Sequence, residues 1–201
     1  MPNIIRFSYV AASLAAFSLP ACSSAANPFE GKSAEDVVAF LLYGLESGTV
    51  ITQNGNAVAV QTRSETNPVA FEINGNLPQV KHFLPYGVTV QKTGECTFTT
   101  EITGKTDKGM SNIGTMSVDL SGLTSATVDA MGTPTMEGAD MKCLKSDAPS
   151  FCDAMNKGDL KDGVWRFRIG VGWNDKKDAS ADQARVNQAV SYLKDSACKR
   201  P

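Results

Sequence analysis

Between Thr49 and Trp173 the chain carries short segments in which apolar and polar residues alternate, and turn-forming residues separate these segments. A period of two places successive side chains on opposite faces of a strand. Asn-Gly pairs at residues 54–55 and 74–75 tolerate the positive φ angles of tight hairpins. No helical pattern interrupts the region, so parallel strands joined by crossover helices are not expected. The sequence therefore predicts an antiparallel meander.

The predicted strands each have one apolar face. Trp165 and Phe167 alternate with Arg166 and Arg168, and this is the clearest pattern in the chain. One buried and one wet face is typical of antiparallel sheets. On two central strands the side chains expected to be buried are Cys96, Phe98, Thr100, Ile102, Met116, Val118 and Leu120. The predicted strands are residues 49–52, 57–62, 69–73, 88–91, 95–103, 115–120, 125–130, 136–144 and 164–173.

Amphipathic helices are predicted on both sides of the meander. Ser33 lies three residues before Asp36, which is a capping-box spacing, and we expect a helix over residues 34–46 that Gly48 ends. A second capping box begins at Ser180 and predicts a helix over residues 181–197. The expected fold class is α+β, with about seven to nine antiparallel strands and these two helices packed on the apolar face of the sheet.

The first 26 residues are typical of a secretory signal. Arg6 is the only charged side chain there, and the apolar run Phe7–Leu19 is shorter than the roughly 20 residues of a membrane helix. Cleavage after Ala26 would leave residues 27–201 as a single domain in the periplasm or medium. The alternative is that residues 19–22 form a lipobox, which would make the protein an outer-membrane lipoprotein with a lipidated Cys22.

Four cysteines follow Cys22, and an even number in an exported chain favours two structural disulfides. Three pairings are open. We favour Cys143 with Cys152 because the turn-forming residues 146–150 lie between them, which leaves Cys96 with Cys198. A reactive dithiol is the alternative, but the chain lacks the Cys-x-x-Cys spacing that lowers a thiol pKa.

The charge balance limits the partners and the chemistry. The chain has 19 Lys and Arg against 21 Asp and Glu, a net charge of -2, which is too little positive charge for a general nucleic-acid partner. Its single histidine, His82, rules out multi-histidine metal sites and is the only imidazole base available to an enzyme. We therefore expect no cofactor, no metal site and no catalytic residues.

Two regions are candidates for binding. The segment Leu77–Gly87 is more apolar than an exposed loop needs to be, so His82, Phe83 and Tyr86 either form a contact surface or plug the core. In the last predicted strand, Arg166 and Arg168 lie two residues apart on the wet face and together could bind a carboxylate or phosphate. The competing explanation is that Glu101 and Asp119 on neighbouring strands pair with these arginines.

These features predict an exported, non-catalytic domain of the periplasm or envelope that binds a small ligand or an envelope protein. Direct membrane attachment is expected only through lipidation of Cys22. One alternative is a small enzyme that uses carboxylates or His82. Another is Cu(I) handling by a methionine-rich segment, since soft thioethers suit that ion, although core filling explains these residues as well. The methionines concerned are Met110, Met116, Met131, Met136, Met141 and Met155.

Overall fold

A computed structural model describes residues 27–75, 84–106, 109–168 and 178–198. These residues form an α+β fold with a seven-stranded antiparallel sheet, a second sheet of two strands and three helices. One helix lies at each end of the chain, as predicted, so the predicted fold class is confirmed. The proposed signal, residues 1–26, lies outside the described residues.

The large sheet is a meander whose last neighbour comes from further along the chain. Its strands, in spatial order, are β1 (Val50–Gln53), β2 (Asn56–Arg63), β3 (Val69–Gly75), β4 (Leu84–Lys92), β5 (Thr97–Thr106), β6 (Gly109–Asp119) and β9 (Asp140–Lys145). The small sheet pairs β7 (Ser125–Val128) with β8 (Pro134–Glu137). At the predicted hairpin between β1 and β2, Asn54 and Gly55 have φ angles of 50° and 75°. The Asn-Gly prediction is therefore confirmed there.

The N-terminal helix α1 (Ala34–Tyr43) begins at the predicted capping box of Ser33 and Asp36 and ends earlier than expected. Gly44 has a φ of 65°, its N–H bonds to the carbonyl of Phe40, and the N–H of Leu45 reaches back to Ala39. The bond from the N–H of Gly44 to the carbonyl four residues earlier is the αL capping motif, which needs a left-handed residue directly after the helix. Gly44 therefore ends the helix, and the predicted end at Gly48 is wrong.

The C-terminal helix also begins differently from the prediction. The described residues place helix α2 at Pro149–Lys157, helix α3 at Ala179–Tyr192 and a π-helical turn at Leu193–Ala197. The carboxylate of Asp178 accepts hydrogen bonds from the N–H groups of Ser180 and Ala181, both at 3.0 Å. Because Asp178 takes the N-cap position, α3 starts two residues before the predicted residue 181.

Between residues 136 and 157 the structure differs from the prediction at two places. The strand predicted over residues 136–144 is split at Gly138, where φ is 80° and an added Cβ would lie 2.1 Å from the carbonyl oxygen of Gly122. The chain turns there from β8 into β9, which belongs to the other sheet. Helix α2 was not predicted, because its first residues belong to a turn-forming run. Pro149 is nevertheless suited to the first turn of a helix, where a backbone N–H has no partner within the helix and its absence is not destabilising.

The described part of the segment predicted as the last strand, residues 164–168, forms little regular structure. Val164 forms one isolated antiparallel bridge with Thr135 of β8, and the N–H of Trp165 bonds to Pro134. Residues 165–168 form no strand, and residues 169–173 lie outside the described residues. The first part of this segment therefore extends the small sheet instead of crossing the large one.

The core is one cluster of buried side chains from both sheets and from the helices. All seven side chains predicted to be buried on the two central strands are buried, which confirms the alternation there. Tyr43 of α1 reaches Thr100 of β5 with an oxygen–oxygen distance of 2.6 Å, and both side chains are fully buried. Burial raises the pKa of Tyr43, so this phenol stays neutral and can serve as a structural donor.

Two disulfides connect the helices to the sheets, in the pairing that the sequence favoured. Cys96, just before β5, pairs with Cys198 after the π-helical turn, with Cα atoms 4.9 Å apart. Cys143 of β9 pairs with Cys152 of α2, with Cα atoms 5.0 Å apart. Both distances lie in the usual range for a disulfide.

Candidate functional site

A groove of about 270 Å³ lies between β7 and the C-terminal half of α3. Buried Ala126 and Val190 contribute an apolar part of its wall. The remaining lining residues carry hydroxyl, amide, ammonium and carboxylate groups. These polar residues are Thr124, Ser125, Asn187, Ser191, Lys194 and Asp195.

Gln183 holds the start of α3 against the edge of β7. Its Oε1 accepts the N–H of Val128 at 2.8 Å, and its Nε2 donates to the carbonyl of Ala126 at 2.9 Å. The side-chain amide thus provides the donor and acceptor that a neighbouring strand would provide. This Gln183 clip closes the edge beside the groove and sets the position of α3 relative to β7.

The π-helical turn shapes the far end of the groove. It is closed by a 2.7 Å hydrogen bond from the N–H of Cys198 to the carbonyl of Leu193, five residues earlier. Lys194 and Asp195 belong to this turn, are exposed and line the groove. Turns of this type are rare and occur frequently at functional sites. The adjacent disulfide of Cys198 anchors the turn.

Two arginines fix α3 on α1. Arg168 pairs through both terminal nitrogens with Asp182, with 2.8 Å between Nη2 and Oδ1, and its guanidinium lies 5.1 Å from the Phe40 ring centre. Arg185 pairs with Glu46 at 2.6 Å and lies 4.5 Å from the same ring. These ion pairs and cation–π contacts hold the helix that forms one wall of the groove.

The structure separates the two arginines that the sequence grouped together. Arg168 is only 3% exposed, whereas the Arg166 side chain is 61% exposed and pairs with Asp159 at 2.7 Å. The prediction that both point to one wet face is wrong, because the buried Arg168 pairs with Asp182 and lies over the ring of Phe40. Pairing with Glu101 and Asp119 is also wrong. A ligand-binding role for either arginine stays a prediction.

The other predicted binding residues cannot be located as side chains. His82 and Phe83 lie outside the described residues. Tyr86 belongs to β4, but its side chain is outside the described part of the structure. Their part in binding stays a prediction.

The six methionines of the methionine-rich segment divide into two groups. Met110 and Met131 are exposed, at 56% and 65%, and the others are buried in the hydrophobic core. This division is what core filling by flexible side chains predicts for the buried group. The buried methionines are Met116, Met136, Met141 and Met155. Among the described residues, no group of three or more His, Cys, Asp or Glu side chains could hold a metal ion.

Comparisons with known proteins found no match: no family model fits the chain, and no curated protein or solved structure is significantly similar to it. Within the described ranges, no helix has the length and apolarity that crossing a membrane requires. The function must therefore be argued from the site itself.

Sequence reasoning missed the groove. Gln183 was only the last residue of the capping box that begins at Ser180, and Lys194 and Asp195 lay within the predicted helix over residues 181–197 without an assigned role. The groove exists because β7 and α3 meet, and Gln183 and Ala126 are 57 residues apart in the chain. The spacing of residues along the chain does not predict such a long-range contact.

Proposed function

We propose that the protein is an exported, non-catalytic binding domain of the periplasm or envelope, and that its ligand is a small polar molecule held in the groove beside α3. The signal-like residues 1–26 and the two disulfides support export, because disulfides persist in oxidising compartments. The observation that carries the binding role is the groove, where several kinds of polar group converge beside an apolar surface.

The size of the groove supports a small ligand. Ligand pockets usually measure roughly 300 to 1,000 Å³, so a groove of about 270 Å³ suits a molecule of a few heavy atoms up to the size of an amino acid or a monosaccharide. A folded protein partner would need a much larger and flatter surface.

The hydroxyl groups of the groove support binding over catalysis. Ser125 donates to a carboxylate oxygen of Glu137 at 2.9 Å, and Thr124 donates to the carbonyl of the same residue at 3.2 Å. A carboxylate is a weak base toward a hydroxyl at neutral pH, and none of the described residues that line the groove carries an imidazole or a thiol. These hydroxyls are therefore suited to hydrogen bonding with a ligand.

The test is a fragment screen monitored by backbone-amide NMR of the oxidised protein without residues 1–26. Amino acids, monosaccharides and small organic acids are added one at a time. We expect at least one class to shift amides of β7 and the second half of α3, and Ser191→Tyr, which fills the groove, to abolish that shift. Ala181→Tyr, an exposed position on the same helix outside the groove, is the matched control. Shifts confined to other surfaces, or none, would contradict the proposal.

A further inference from the structure

We infer that the groove binds a small zwitterion that carries a carboxylate next to an ammonium group, the chemistry of a free amino acid. This inference rests on the proposed function and specifies its ligand. The polar groups of the lining already form hydrogen bonds within the protein, and these bonds determine which donors and acceptors are left for a ligand.

The first donor is the backbone N–H of Ala126. Ala126 lies opposite Met136 in the β7–β8 pair, and the N–H of Met136 bonds away from β7, to the carbonyl of Gly163. The carbonyl of Ala126 likewise points away from β8, to Gln183. Ala126 and Met136 are therefore a non-hydrogen-bonded pair of the ladder, and the N–H of Ala126 points to the side of α3 and the groove.

Asn187 and Lys194 add two donors. The Oδ1 of Asn187 accepts a 2.8 Å hydrogen bond from Nε2 of Gln183, which fixes the orientation of the Asn187 amide. Its Nδ2 is then the group available to a ligand. Lys194 contributes an ammonium group from the π-helical turn. A backbone N–H, an amide N–H and an ammonium together suit a carboxylate, because hydrogen bonds to charged groups are the strong ones.

The remaining polar groups are acceptors. Ser125 and Thr124 give their hydroxyl hydrogens to Glu137, so the lone pairs of their oxygens are what they can offer to a ligand. Asp195 adds a carboxylate from the turn. An ammonium group has three hydrogens to donate and no lone pair, and it therefore matches this set of acceptors.

A neutral sugar fits this division less well. Sugar hydroxyls would leave Lys194 and Asp195 without a ligand group of opposite charge, whereas a zwitterion supplies both charges within the length of one amino acid. Lys194 and Asp195 are exposed, so solvent screens each attraction and the affinity should be moderate and weaken with salt.

The test is calorimetric titration of the oxidised protein with each of the twenty common amino acids and with glucose. For the amino acid that binds most tightly, the deaminated acid and the decarboxylated amine are titrated next. We expect both analogues to bind at least tenfold more weakly than the parent. Lys194→Met should weaken the acid as well as the parent, and Asp195→Asn should weaken the amine as well as the parent.

Matched controls lie on α2, where Lys157 and Asp153 are exposed and outside the groove. Lys157→Met and Asp153→Asn should leave every affinity unchanged. If glucose or another fragment shifts groove amides and no amino acid does, the zwitterion inference fails while the proposed binding function stands. If no probe of any class shifts the groove amides, both fail. Equal affinities for the parent and its two analogues would also overturn the inference.

Discussion

Two strand edges in this protein are closed in the same way, by the amide of one side chain, but their surroundings differ. Gln183 of α3 closes β7. Asn156 of α2 closes β9, where its Oδ1 accepts the N–H of Cys143 at 2.7 Å and its Nδ2 donates to the carbonyl of the same residue at 2.9 Å. Both clips satisfy backbone groups that would otherwise be open to another strand.

The two regions differ in the sequence separation of the contacts that hold each helix. Around α2 the contacts are local: Asn156 is 13 residues from Cys143, and the disulfide there spans 9. Around α3 they are long-range, since the Gln183 clip spans 57 residues to Ala126 and the Cys96–Cys198 disulfide spans 102. The long-range contacts of α3 hold its first turns and the end of the following π-helical turn, and the groove lies between these two anchors.

Removal of the long disulfide should give the largest effect. Under the chain-entropy model, Cys96→Ser with Cys198→Ser should lower the free energy of unfolding by about 4.7 kcal/mol, against about 2.7 kcal/mol for Cys143→Ser with Cys152→Ser. The reason is that the longer loop restricts the unfolded chain more. Urea unfolding of the two double variants measures both values. Equal losses would contradict the distinction between local and long-range closure.

The buried ion pair of α3 should come next. Arg168→Met leaves Asp182 half-buried without its partner, and we expect a loss of about 3 to 5 kcal/mol in the free energy of unfolding. The double variant with Asp182→Leu should recover most of that loss, because no charge is left unpaired. Arg166→Met is the exposed control and should change little. A similar loss for both arginine variants would show that burial does not decide the effect.

The two clips should each contribute less. Gln183→Ala and Asn156→Ala leave backbone groups without a partner, and each should cost about 1 to 3 kcal/mol in unfolding free energy. Only Gln183→Ala should also shift the amides of the groove residues in NMR spectra. Gln188→Ala, a half-buried glutamine of the same helix, serves as the control. Groove shifts of the same size from Asn156→Ala would mean that the two edges are coupled.

The smallest effect should be a pH dependence at the start of α3. Hydrogen bonds from the N–H of Ala181 and from Ser180 lower the pKa of Asp178. The stabilisation is therefore complete above the carboxyl's unfolded pKa of about 3.9 and disappears as the pH falls through the lower folded value. The melting temperature of Asp178→Ala should lie slightly below that of the parent at pH 7 and meet it near pH 2.

Helix α2 provides the contrast for that measurement, because its N-cap residue Ala148 has no side chain to accept a hydrogen bond. Ala148→Ser should raise the melting temperature by a similar amount at pH 7 and at pH 3, since a hydroxyl does not titrate in this range. Circular dichroism at several pH values measures both variants. A pH-independent difference for Asp178→Ala would contradict the assigned role of its carboxylate.

The alternation of apolar and polar residues correctly predicted the buried faces of the central strands. It failed for residues that lie outside any strand. Phe98 and Met116 are buried as predicted, because each lies on a strand with a neighbour on both sides. Arg168 lies outside any strand, and its position follows from Asp182 and Phe40, which the local pattern does not contain. Helix α2 was missed for a related reason, since residues 146–150 are equally suited to a turn.

By itself, the sequence determined the antiparallel class, the faces of the central strands and the helix at each end, and the turn residues between Cys143 and Cys152 favoured that pairing, which left Cys96 with Cys198. These depend on side-chain period, capping residues and turn residues, which act over a few neighbours in the chain. Only the tertiary structure decided that Arg168 is buried, that Gln183 closes β7 and that a groove opens beside Lys194 and Asp195. Each of these depends on contacts between segments that are far apart in the chain, and local residue patterns do not predict such contacts.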